Sequence, residues 1–229
     1  MESEMSSTWF RIASAASGLV GVAMIIVSFS INAGPPADAT EAQLVAFGQQ
    51  NFAGIMWGAW LQAVGPALIV GFALGLVFLA GAAHRLAGWL TLFGGILLTV
   101  VSLVEVVCYI AALSPAPPGI AVISTDLGHA VQHLYFIVAA PALFLPLGIV
   151  IVSSRVLPRT FGYLALVLGT AFAVLGAAFL LTLVLPPAVT AFAAIQALWW
   201  VAAAITLLVQ TRHLPATARV ADGVHRSAA

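Results

Sequence analysis

Residues 87–113 read AGWLTLFGGILLTVVSLVEVVCYIAAL, an uninterrupted apolar run with one charged side chain, Glu105, inside it. A helix needs about 20 such residues to cross the hydrocarbon of a bilayer. Arg85 stands just before the run and Ser114-Pro115-Ala116-Pro117-Pro118-Gly119 follows it, so a basic turn marks one end and a helix-breaking turn the other. Five comparable runs lie at 9–33, 51–80, 124–153, 161–185 and 188–210. Backbone polar groups in lipid must be satisfied within the structure, which leaves helices and closed barrels, and no ten-residue strands of alternating polarity are visible. The expected fold is all-α, a six-helix integral membrane bundle forming one domain over 1–210, with a polar tail at 211–229 that is expected to be disordered and cytoplasmic.

The arginines set the expected orientation. All seven basic residues are arginine: Arg11 before the first run, Arg85 between the second and third, Arg155 and Arg159 between the fourth and fifth, and Arg212, Arg219 and Arg226 after the last. The alternate connections carry none. By the positive-inside rule this predicts both termini in the cytoplasm, N-in and C-in. The rest of the composition agrees, with 63% hydrophobic and 6% charged residues and a mean hydropathy of +1.16, against roughly 25% charged residues in soluble domains. The lipid bilayer is therefore the expected partner. Formal net charge is zero, and the arginines are too dispersed for a nucleic-acid footprint. The single cysteine, Cys108, excludes an intrachain disulfide and any Cys-x-x-Cys motif.

Several local signals refine this picture. The first run is read as a retained helix, because Glu2 and Glu4 occupy the leader where a signal peptide would be basic. Asp38-Ala39-Thr40-Glu41 resembles a capping box opening a short amphipathic helix that lies on the outer surface. Gly54-x-x-x-Gly58 and Gly71-x-x-x-Gly75 are expected to pack tightly, within the chain or as a homo-oligomer face. Pro66, Pro141 and Pro146 fall inside runs, where each removes a backbone hydrogen bond and is expected to kink its helix. Pro66-Ala67-Leu68 is echoed by Pro141-Ala142-Leu143, consistent with a duplicated hairpin or with the common chemistry of membrane turns.

Polar residues inside the runs are the candidates for chemistry. Glu105 in a span costs on the order of 3 kcal/mol to insert, so it is expected to face the bundle and to have a partner. Asp126, His129 and His133 are spaced i, i+3, i+7 and share one helical face. At 1.5 Å per residue Glu105 and His133 lie about 12 to 14 Å below the outer ends of their helices, and Gln62 and Gln196 at about 12 to 17 Å. The expected ligand or proton pocket is thus Glu105, His129, His133, Asp126, Gln62, Gln196 and Tyr109, in the outer half of the bundle. Trp57, Trp60, Trp199 and Trp200 either line its mouth or form an interfacial aromatic belt.

Four readings of this layer stay open. His129, His133 and Glu105 supply the two-histidine, one-carboxylate set that holds a divalent metal such as zinc, although the His-Glu-x-x-His motif is absent. Glu105 exchanging protons with neighbouring histidines would serve a carrier. Haem is disfavoured, because both intramembrane histidines share one helix. The bland alternative is a hydrogen-bond network that joins helices. Without lysine there is no Walker loop or Schiff base, and no Gly-x-Ser-x-Gly elbow is present, so the balance leans away from an enzyme.

The strings Arg85-Leu86-Ala87-Gly88-Trp89-Leu90, Ser102-Leu103-Val104-Glu105 and His129-Ala130-Val131-Gln132-His133 resemble an uncharacterised bacterial multipass membrane protein family of unknown function. The resemblance implies a bacterial inner-membrane protein and supplies no mechanism. The leading expectation is a membrane protein that binds or transports a small ligand, ion or proton through the polar layer. Its alternatives are a metal-dependent membrane enzyme with a His/His/Glu site, with Asp126 orienting a histidine, and a structural or partner-binding membrane subunit.

Overall fold

Runs of lipid-spanning length leave the backbone no hydrogen-bond partner but itself, and among the described residues each such run is helical. The computed structural model describes residues 2–31, 39–113, 119–178 and 187–212. Within them the elements are α1 (Glu2–Ile31), α2 (Glu41–Gln50), α3 (Phe52–Leu79), α4 (Leu86–Leu113), α5 (Ile120–Leu134), one π-helical turn (Tyr135–Ala139), α6 (Ala140–Ser153), α7 (Arg159–Ala178) and α8 (Pro187–Arg212). α5, the π turn and α6 form one continuous span, so among the described residues six helical segments are long and apolar enough to cross a membrane.

The fourth span starts at Ile120, four residues before the expected boundary, because Gly119 takes a left-handed φ of +88° that an L side chain resists and the helix opens directly after it. The fifth helix is described to Ala178, and residues 179–185 of its expected run lie outside the described residues, as does the tail from 213 onwards. The expected cap at Asp38 also lies outside them. α2 begins at Glu41, so its cap is Thr40, whose backbone N–H donates to the Gln43 side chain at 2.8 Å.

α1 packs along α3, α3 on α4, α4 on α6, α6 on α7 and α8 on α1. Because successive spans alternate in direction, the termini and turns bearing Arg11, Arg85, Arg155, Arg159 and Arg212 fall at one end, here the arginine end. Small residues bring the helices together where lipid provides no hydrophobic driving force. Gly21 and Gly65 face each other across α1 and α3, and a Cβ on Gly21 would lie 2.7 Å from the Gly65 carbonyl. Gly54, Gly58, Gly71 and Gly75 belong to the same seam: Gly54 meets Ile31, the Gly58 carbonyl accepts from Ser28 Oγ at 2.8 Å, and Gly71 and Gly75 meet Ser17 and Ser14. These glycines therefore pack within the chain against its first helix, with Gly71 still exposed.

The prolines are accommodated in three ways. Pro66 lacks the N–H that would bond the Gln62 carbonyl, yet α3 continues through it, and Ser102 Oγ of α4 donates to that carbonyl at 2.9 Å. The carbonyl that Pro146 leaves free, that of Ala142, points at Gly94 of α4, where any side chain would collide with it. Just before Pro141 the chain widens into the π turn, in which Ala140 N–H reaches the Tyr135 carbonyl. Gly176 of α7 leaves room for it, since a Cβ there would lie 2.9 Å from the Ile137 backbone.

The bundle centre is aromatic. Phe72, Phe144, Phe172 and Trp200 are fully buried, with Trp200 5.1 Å from Phe144 and 4.7 Å from Trp199 between ring centroids. Trp199 Nε1 donates to the Phe161 carbonyl at 3.1 Å. Trp199 and Trp200 are therefore core residues rather than belt or mouth, whereas Trp57 and Trp60 are 64% and 52% exposed, as a belt requires.

Candidate functional site

The proline at position 66 also helps build the site. It frees the Gln62 carbonyl for Ser102, and one turn further along α4 the Glu105 carboxyl is hydrogen-bonded to the Gln62 side chain. Two contacts thus hold one residue of α3 against one face of α4. From the other side Gln132 Nε2 of α5 donates to Glu105 Oε1 at 2.8 Å. Glu105 is consequently clasped by two neutral amides from two different helices.

A second pair adjoins it. Tyr135, at the start of the π turn, donates its hydroxyl to Gln196 Oε1 of α8, and lies within electrostatic reach of Glu105. The π turn inserts a wider step at this point, and Tyr135 packs edge-on against Phe136 and Phe172, with centroids 5.0 and 5.9 Å away. The layer as built therefore spans α3, α4, α5 and α8 through Gln62, Glu105, Gln132, Tyr135 and Gln196. Two buried polar atoms of the same half have no hydrogen-bond partner, Tyr109 Oη and His133 Nε2.

Among the described residues no permanent positive charge neutralises Glu105. The chain has no lysine, and the described arginines lie at the arginine end, while Glu105 stands eight residues before the opposite end of α4, about 12 Å below it. The carboxyl environment is made of burial and the two amides.

Above the layer sits α2. Leu44 is buried with Ile55, Ala112, Leu113 and Ala121, and Phe47 and Tyr109 pack against that cluster. Gly48 abuts the Leu113 carbonyl so closely that a side chain would be excluded. The Glu41 carboxylate accepts the Gly119 N–H, and so caps the N-terminus of α5, where negative charge is favoured. The short amphipathic helix expected on the outer surface is present as a roof over α3, α4 and α5.

Of the residues expected from sequence, the structure brings Gln62 and Glu105 into direct contact and places Gln196 on the adjoining pair. Asp126 and His129 are exposed on α5, and His133 is half-buried. Among the described residues no group of three or more His, Cys, Asp or Glu could hold a metal ion, so the expected His129, His133 and Glu105 set is not assembled as a metal centre. The physical reason is rotational: α5 turns Gln132 toward α4, and the histidine stripe lies to one side of it. Gln132 and Tyr135 were missed in the sequence, though a strongly polar amide inside an apolar run was the signal that picked out Gln62 and Gln196.

No protein-family model, curated protein or solved structure matches the chain. The functional reading therefore rests on this geometry.

Proposed function

We propose that this is a bacterial inner-membrane protein, N-in and C-in, that binds and transports a small cationic species, the proton being the simplest, at Glu105. The observation that carries the reading is the carboxyl held by the Gln62 and Gln132 amides in a bundle whose described arginines all lie at the opposite end. An ionisable group inside a span is expensive, and it usually marks an ion or proton pathway. What such a site lacks is a positive charge that can come and go. Amide donors orient the carboxyl and leave that vacancy unfilled, which a salt bridge would not.

A helix-joining role is favoured by the same contacts, because Gln62, Glu105 and Gln132 tie α3, α4 and α5 together. The two roles separate on substitution. Glu105→Gln keeps a hydrogen-bonding side chain of the same length and removes the exchangeable charge. The full chain in proteoliposomes with a trapped pH dye is expected to dissipate an imposed proton gradient, and Glu105→Gln to abolish this while the bundle stays folded. Sodium and a small organic ammonium, measured in parallel, identify the cation if it is not the proton. Equal flux in both proteins for all three cations would leave helix joining as the role of Glu105. The metal-dependent enzyme is not carried forward, because its donor set is not assembled.

A further inference from the structure

With α2 packed over the junction of α3, α4 and α5, the polar layer is roofed from directly above. Among the described residues, the flank of α5 offers an approach from the side. At 3.6 residues per turn, successive side chains are about 100° apart, and the exposed Ile123, Leu127, Ala130 and Leu134 fall within one apolar stripe suited to lipid. Asp126, His129 and His133 make a second stripe, rotated by about 100° from the first and lying between it and Gln132. Asp126 and His129 are exposed, whereas His133, one turn deeper than His129, is half-buried with its Nε2 sealed and without a partner. Polarity therefore runs along α5 from an exposed carboxylate and imidazole to a half-buried imidazole next in sequence to the residue that grips Glu105.

We infer that Asp126, His129 and His133 are the access route by which a proton travels between the arginine-free side of the membrane and Glu105, an inference that rests on the transport reading above. A proton from water is taken up at the Asp126 carboxylate or the His129 imidazole. It passes to His133, whose Nε2 has no partner, and then, through a turn of that side chain or one bridging water, to a carboxyl oxygen of Glu105. Each imidazole gains a proton on one nitrogen and releases one from the other, so its charge is restored with the tautomer switched, the ring turns to reset it, and one proton has moved inward to Glu105. Asp126, His129 and His133 are then positioning and relay residues, while Glu105 is the binding residue.

The test compares the full chain with Asp126→Asn/His129→Gln and with Glu105→Gln, in proteoliposomes carrying a trapped pH dye. The double variant is expected to slow proton flux at least tenfold, with unchanged thermal unfolding, and millimolar imidazole in the external buffer is expected to restore it. A structural role for the stripe predicts no rescue by imidazole. Wild-type flux in the double variant, with Glu105→Gln inactive, would overturn the route and leave the transport reading standing. Loss of flux that imidazole does not restore, or that comes with a lowered unfolding temperature, would also overturn the relay. Identical flux in all three proteins would remove the transport reading itself.

Discussion

The contact between Ser102 and the Gln62 carbonyl is an interhelical bond that exists because of a proline. Interhelical hydrogen bonds in membrane proteins contribute about 0.6 kcal/mol on average and up to about 1.7. Here the acceptor has no helical donor, since residue 66 carries no N–H, so Ser102→Ala leaves a buried carbonyl unsatisfied, at a cost of about 1–3 kcal/mol. The expected loss is near 2 kcal/mol. Pro66→Ala restores an N–H in register with that carbonyl, and the serine then becomes a second donor worth about 0.6 kcal/mol. A double-mutant cycle should therefore show a coupling of about 1 kcal/mol or more between positions 66 and 102, roughly fivefold in the folding equilibrium. Reversible unfolding of the four proteins in mixed micelles measures it. If Ser102→Ala costs the same in both backgrounds, the serine is not compensating for the proline.

Gly94→Val drives a side chain into the Ala142–Leu143 backbone, and should lower stability by about 1–3 kcal/mol or more; Gly128→Ala, whose Cβ would sit 3.6 Å from Cys108 Cβ, should be tolerated, and thermal unfolding in detergent compares the two. Gly48→Leu is expected to displace α2 while the spans remain folded, seen as faster amide exchange confined to 41–50 and the neighbouring ends of α4 and α5. Trp200→Ala, at a site 1% exposed, should cost about half of the 3–5 kcal/mol typical of soluble cores, because lipid receives apolar surface as readily as the bundle does and only the packing loss remains. A full soluble-core loss in the same unfolding assay would contradict that reasoning.

The spans were legible because the length and polarity of a run decide membrane crossing with little help from tertiary structure. The layer was legible through depth arithmetic, which placed Gln62, Glu105 and Gln196 at similar depths from single-helix geometry alone. What depth cannot supply is rotation. Whether α5 presents His133 or Gln132 to α4 depends on how the helices pack, and the answer, Gln132, reduced the proposed metal ligands to a neighbouring stripe. The π turn was hidden for a related reason: Pro141 announces a lost hydrogen bond, but the wider register ahead of it depends on the space that Gly176 leaves on α7. Trp199 and Trp200 were ambiguous because tryptophan in a span suits an interfacial belt as well as a core, and the facing Phe72 and Phe144 decide for this pair about halfway along α8.

The most direct measurement of Glu105 is infrared difference spectroscopy of the protein in lipid while the external pH is stepped. Exchange of a proton at this carboxyl predicts a carboxylic C=O band that changes with the step and is missing from Glu105→Gln. A band of the same size in the variant, or no change in the wild-type carboxyl region across the step, would contradict it.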